Sequence, residues 1–188
     1  MTLFLGVLLL AAIAAVPGQE SPSALDWDKA EKEIQRLPPN AFPQLPVAVI
    51  SELNSRRCTV PQAYGHPDPH NVIKGSFVGK GQIDWAVLCS QGGEASILVF
   101  RDGSGETVSQ LEKRPDKTYL QTLGGGKIGY SRVIVPAVGP RIVGCREAFG
   151  GPKPPPIDHE GIEDCFLEKG SVILFYYRDK WLTLTGTD

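Results

Sequence analysis

"IDWAVLCSQGGEASILVFRDG", residues 83–103, is the stretch on which the fold turns. Two runs rich in Val, Ile, Leu and Phe, at 83–90 and 95–101, flank a glycine-containing turn, and that composition predicts a hairpin of two buried strands. The plan recurs at 162–180, "IEDCFLEKGSVILFYYRDK": an acid, an apolar run with a cysteine, a glycine-containing turn, then a serine-led apolar strand ending in Arg-Asp. Internal duplication and independent use of the same hairpin chemistry both account for the likeness.

Outward from this hairpin the same composition predicts strands at 70–78, 106–111, 131–135, 141–145, 171–177 and 181–185. "RDGSG" (101–105) and "RDK" (178–180) lie between apolar runs and read as hairpin turns. "GGPKPPPID" (150–158) cannot pair fully inside a sheet, because proline lacks the backbone donor, so it must connect elements. Toward the N-terminus, "WDKAEKEIQRL" (27–37) spaces Trp27, Ala30, Ile34 and Leu37 by three and four, which predicts a helix stopped by Pro38-Pro39. A second helix is expected from Pro46, with Val47, Ile50 and Leu53 on one side. The expected fold class is therefore α+β: N-terminal helices packed on a mainly antiparallel β-sheet, with two disulfides.

The apolar run Leu3–Val16 is shorter than the ~20 residues that span a bilayer and suits the core of an export signal. The expected organisation is a signal peptide over 1–18, a polar leader and amphipathic helix over 19–45, and a single disulfide-stapled domain over 46–188. Localisation follows as secreted or periplasmic, with no membrane partner after signal cleavage. A formal net charge of −2 argues against nucleic acid, whose phosphate backbone requires clustered Lys and Arg.

Cys58, Cys89, Cys145 and Cys165 are the four cysteines, an even number in a chain expected to reach an oxidising compartment. Of the three possible connectivities, Cys58–Cys89 with Cys145–Cys165 encloses the shortest spans without crossing. No C-x-x-C pair supports zinc.

The residues "IKGSFVGKGQIDWAVLCS" (73–90) resemble the FG-GAP or VCBS-type repeat, in which a calcium loop D-x-N-x-D-G-x-x-D precedes a strand. Gly79, Gly81 and Asp84 match. The other ligand positions hold Ser76, Val78 and Lys80, and Val78 offers no oxygen while Lys80 repels a cation, so the loop is expected to keep its path without calcium, with Lys80 beside Asp84. The chain is also similar to small secreted bacterial proteins that share C-x-[VI]-P-Q, NVI-x-G-x-F, D-W-A-V-L-C-S and an ending KW-x-x-L-x-G-x-D, a resemblance that implies no particular activity.

Two short segments concentrate chemistry. "GHPDPH" places His66, Asp68 and His70 within five residues, fit for a metal or for acid–base work, or simply an exposed loop. "DHEGIED" (158–164) gathers Asp158, His159, Glu160, Glu163 and Asp164, fit for a cation or a general acid and base, or for a helix start capped by Asp158. Trp181, near a turn, is a candidate platform for a glycan or peptide. "LGGGKIGYSR" (123–132) lacks the Ser or Thr of a phosphate loop, since Ile128 stands there, and no cofactor is expected. No nucleophile motif occurs. The expected function is an exported, non-catalytic binding module of the bacterial cell envelope facing a protein or glycan. The alternatives are a small secreted hydrolase using His66, His70 or His159, and a secreted enzyme inhibitor using a loop such as 62–70.

Overall fold

The structure is a computed structural model and describes residues 25–188. The expected signal peptide and most of the polar leader lie outside the described residues. In chain order the elements are α1 (Trp27–Lys32), β1 (Arg36–Leu37), α2 (Val47–Ser55), β2 (Val60–Pro61), β3 (Val72–Gly75), β4 (Asp84–Gln91), β5 (Glu94–Phe100) and β6 (Val108–Pro115). After these come β7 (Leu120–Thr122), β8 (Ile128–Tyr130), β9 (Arg132–Ala137), α3 (Gly139–Phe149), β10 (Gly161–Phe166), β11 (Gly170–Tyr177) and β12 (Lys180–Thr185). Two four-stranded antiparallel meanders, β3-β4-β5-β6 and β9-β10-β11-β12, are joined by the small pairs β1-β2 and β7-β8.

The period of two along each strand assigns its side chains to layers. Ala86 and Leu88 of β4, with Ile97 and Val99 of β5, pack against Ile134, Ile162 and Leu174 of the second sheet. The alternate residues Trp85, Val87, Cys89, Leu98 and Phe100 face away, onto α2 through Val49 and Leu53 and onto Phe42 and Leu45. On the far side of the second sheet, Ala137, Ile173, Phe175 and Leu184 meet Ile142 and Cys145 of α3. The order of layers is α2, sheet, sheet, α3. With both faces covered, β4 and β5 are buried almost throughout, which is why their sequences read as continuous apolar runs. Each fully buried Leu, Ile or Phe contributes about 1.5–3 kcal/mol relative to exposure.

The hairpin of the opening stretch and its recurrence share a register. Cys89 pairs with Ser96 across β4–β5, and Cys165 with Ser171 across β10–β11. Gly92 and Gly93 close the first hairpin at positive φ. Arg178 and Asp179 close β11–β12 in the same left-handed region, where a side chain is less well tolerated.

Several expectations are corrected. The fold is not helices on one sheet: among the described residues there are twelve strands in four sheets, and the helices are minor. Local patterns predicted most of the long strands, but the division into two stacked sheets depends on which strands pair. Only Cys58–Cys89 is bonded, and Cys145 and Cys165 are free thiols. Cys58 and Cys89 are lateral neighbours, because Thr59 bridges Ser90 beside them. Cys145 lies on α3 and Cys165 on β10, the strand whose Glu163 bonds to Arg141 of that helix, and the two thiols are not joined.

The expected strand at 141–145 is part of α3. Pro140 sits in its first turn, Ile142 and Cys145 are buried three apart, and Gly150 ends it at positive φ. The expected helix over 27–37 stops at Lys32, because Arg36 and Leu37 pair with Pro61 and Val60 and the residue before Pro38 is held extended. In α2 the buried residues are Val49 and Leu53, whereas Val47 is exposed.

Candidate functional site

His70 closes a loop and does not reach into solvent as a base. The Gln62 carboxamide accepts from the His70 backbone N–H at 3.0 Å and donates to its carbonyl at 3.2 Å. The ring completes the closure: Nε2 accepts from the Ala63 N–H at 2.7 Å and Nδ1 lies 3.0 Å from the Asp68 carbonyl. A neutral imidazole protonated on Nδ1 satisfies both contacts, leaving no lone pair for a metal or substrate. Burial lowers the His70 pKa, the Asp68 carbonyl opposes that, and the charge of His66 adds to it. The His66 ring lies on His70 with centroids 4.6 Å apart, and residues 65–69, Asp68 among them, are exposed.

The 158–164 group is dispersed. Residues 161–166 form β10, a central strand, and no helix for Asp158 to cap. Strand alternation sends Glu163 and Asp164 to opposite faces, each onto its own arginine. Arg141 of α3 grips Glu163 through Nε at 2.9 Å and Nη2 at 2.7 Å, and the Ser171 hydroxyl donates to it at 2.6 Å. Burial raises the Glu163 pKa, but the Arg141 and Ser171 bonds outweigh it and hold the carboxyl below its usual range. Glu160 accepts the Ser76 N–H at 2.8 Å and ties the two sheets together, while Asp158 is largely exposed. His159 stacks on Phe175 at 4.3 Å, with its nitrogens 2.9 Å from the Glu160 and Tyr176 carbonyls.

Among the described residues no three His, Cys, Asp or Glu side chains converge as a metal site. Asp84, the acid of the loop that resembles a calcium site, is fully buried. Its carboxylate accepts the N–H groups of Phe77, Val78 and Asp102 and the Gln82 amide. Gln82, not the expected Lys80, stands beside it. Trp181 packs edge-on to Tyr176 at 5.3 Å against the core and is partly buried. Burial pushes the free thiols up, Cys165 to about 12, so neither is a ready nucleophile.

Two features escaped the sequence reading. The first is Arg132, fully buried between the sheets. Its guanidinium donates to both Asp164 oxygens at 2.9 and 2.8 Å, to the Ala95 carbonyl at 3.1 Å and to the Glu112 carbonyl at 2.9 Å. The second is a cleft of about 370 Å³ above it, where β6 and the β10–β11 turn come together. Tyr119 stacks on Arg132 at 4.6 Å and meets Phe166 at 5.4 Å, tilted by 57°. Burial, reinforced by Asp164, raises the Tyr119 pKa and keeps the phenol neutral. No local signal marks this site, because its residues are far apart in the chain. A larger hollow, about 560 Å³, lies between α1 and the β7–β8 hairpin, but α1 buries none of its own residues and makes a weak wall.

No family model matches the chain, and neither a curated protein nor a solved structure does.

Proposed function

We propose that the chain is an exported, non-catalytic interaction module that presents residues 64–69 to a protein partner at the cell envelope. The observation that carries this is the closure of the loop by Gln62 and the His70 ring. Held at its base and stiffened by Pro67 and Pro69, the exposed segment loses little entropy on docking, which is what a binding loop requires. Export is supported by the apolar run before residue 18 and by the Cys58–Cys89 bond, since disulfides persist in oxidising compartments. The hydrolase alternative rests on His66, because His70 and His159 hold their ring nitrogens against backbone groups. A secreted enzyme inhibitor is the form of the same proposal in which the loop enters a partner's cleft.

The test is affinity capture from envelope extract of the source organism, comparing oxidised mature protein with His66→Ala/Asp68→Ala, a change confined to the loop. Retention of one protein by the parent and its loss in the variant, at equal thermal stability, supports the reading. Equal retention by both, or no specific retention by the parent, sinks it.

A further inference from the structure

We propose that the cleft between the two sheets binds a short, neutral saccharide. It is separate from the 64–69 loop, shares no lining residue with it, and stands whether or not that loop docks a protein.

The floor and wall supply two kinds of contact that a sugar ring requires together. Tyr119 and Phe166, both partly exposed, form an aromatic corner against which the C–H faces of a pyranose can lie. Beside it, Asp164 is 5 % exposed and each of its carboxylate oxygens accepts one N–H from Arg132. Each oxygen retains a further acceptor position for a ligand hydroxyl. Arg132 also fixes Tyr119 from beneath, so the aromatic face and the acceptor are held by one buried group and need no reorganisation on binding. The volume, about 370 Å³, falls at the small end of the ~300–1,000 Å³ usual for ligand clefts.

Charge selects the ligand class. Arg132 is neutralised by Asp164 at 2.8 Å and Arg114 by Glu112 at 3.2 Å, while Lys169 and Asp188 add one charge of each sign to the lining. A phosphate or uronate calls for uncompensated cations, which this balance does not offer. A wholly apolar ligand would bury Asp164 without donors in return. An extended peptide would seek free strand backbone; β10 and β11 are central strands, and on the edge strand β6 the Glu112 carbonyl in the cleft is already taken by Arg132.

The experiment is an amide NMR titration of the oxidised protein with glucose, galactose and N-acetylglucosamine. Glucuronate, inorganic phosphate and a pool of short peptides form the comparison arms. The expected result is saturable shifts confined to residues 112–119 and 164–172 with at least one neutral sugar. Phe166→Ala should weaken that sugar about tenfold, the scale of one aromatic contact, while Tyr119→Phe, which keeps the ring, should bind as the parent does. Should Phe166→Ala fail to fold, Phe166→Leu keeps apolar volume without the ring and carries the same expectation. The proposal is overturned by the absence of saturable shifts from every neutral sugar, or by undiminished binding in the folded Phe166 variant. Tighter binding of phosphate, glucuronate or peptide at the same residues also overturns it.

Discussion

Arg132 shows at the scale of one side chain how this molecule handles a charge without water. Its five donors are arranged as a fork, and a carboxylate with two carbonyls meets them, so little of its desolvation cost is left uncompensated. Removing only the partner is therefore worse than removing the pair. Asp164→Ala should destabilise the fold by about 3–5 kcal/mol, because the guanidinium is left buried and unpaired. The double change Arg132→Met/Asp164→Leu should recover much of that loss. Urea unfolding of the three proteins is the check. An Asp164→Ala protein as stable as the parent would mean that water or another acid reaches Arg132.

His70 carries the opposite electrostatics. Its folded pKa lies below the unfolded value of 6.5, so the fold favours the neutral ring. The contribution is complete above about pH 6.5 and is lost as pH falls through that value toward the folded pKa. Protonating Nε2 sets an N–H against the Ala63 N–H, with His66 stacked alongside and the Asp68 carbonyl retained on Nδ1. Unfolding free energy should decline as pH falls below about 6.5, and His70→Gln should show a shallower decline. Parallel curves for parent and variant would remove His70 as the cause.

At the scale of elements, the bond between Cys58 and Cys89 fastens the segment after α2 to β4, closing a sequence separation of 31 residues. On the chain-entropy model such a loop stabilises by about 3–4 kcal/mol. Cys58→Ala/Cys89→Ala should lose stability on that scale in chemical denaturation. Mild reductant should lower the midpoint of the parent and leave the variant unchanged. The element scale is also where the reading of 141–145 failed. "RIVGC" carries β-branched residues, yet Ile142 and Cys145 are spaced for a helix, and burial on α3 selected the period of three over the local strand preference. "DHEGIED" (158–164) shows the converse. Clustered acids suggested one site, but a strand sends neighbouring side chains to opposite faces, and Glu163 and Asp164 ended on separate arginines.

At the scale of the whole molecule, the sheets share more than an apolar face. Arg132 of β9 bonds to Ala95, Glu112 and Asp164, so one residue joins three strands from both sheets. Asn71 adds to this by donating to the Pro61 and Arg132 carbonyls and accepting the Ile134 N–H. The two meanders should therefore unfold as one cooperative unit. Backbone and aromatic circular dichroism are expected to give coincident urea transitions. Two separated transitions would show that each sheet with its helix stands alone. The outer faces also matter to assembly, since α2 and α3 cover them and leave the stack of sheets closed at both ends.

The sequence by itself determined the local units. The apolar runs Trp85 to Ser90 and Ala95 to Phe100, the glycines at 92 and 93 and the recurrence at 162–180 suffice for two buried hairpins, because strand composition and turn conformation act over neighbouring residues. The Cys58–Cys89 pairing agrees with the preference for short spans, but the same preference chose Cys145–Cys165, which is closer in sequence and not bonded. Tertiary structure alone decided that there are two stacked sheets, that Cys145 and Cys165 stay reduced, that His70 is a clasp, and that Tyr119, Asp164 and Phe166 border one cleft. Each of these depends on which surfaces meet across layers. The free energy of that meeting comes from burial and paired charge between residues distant in the chain, and no local pattern encodes it.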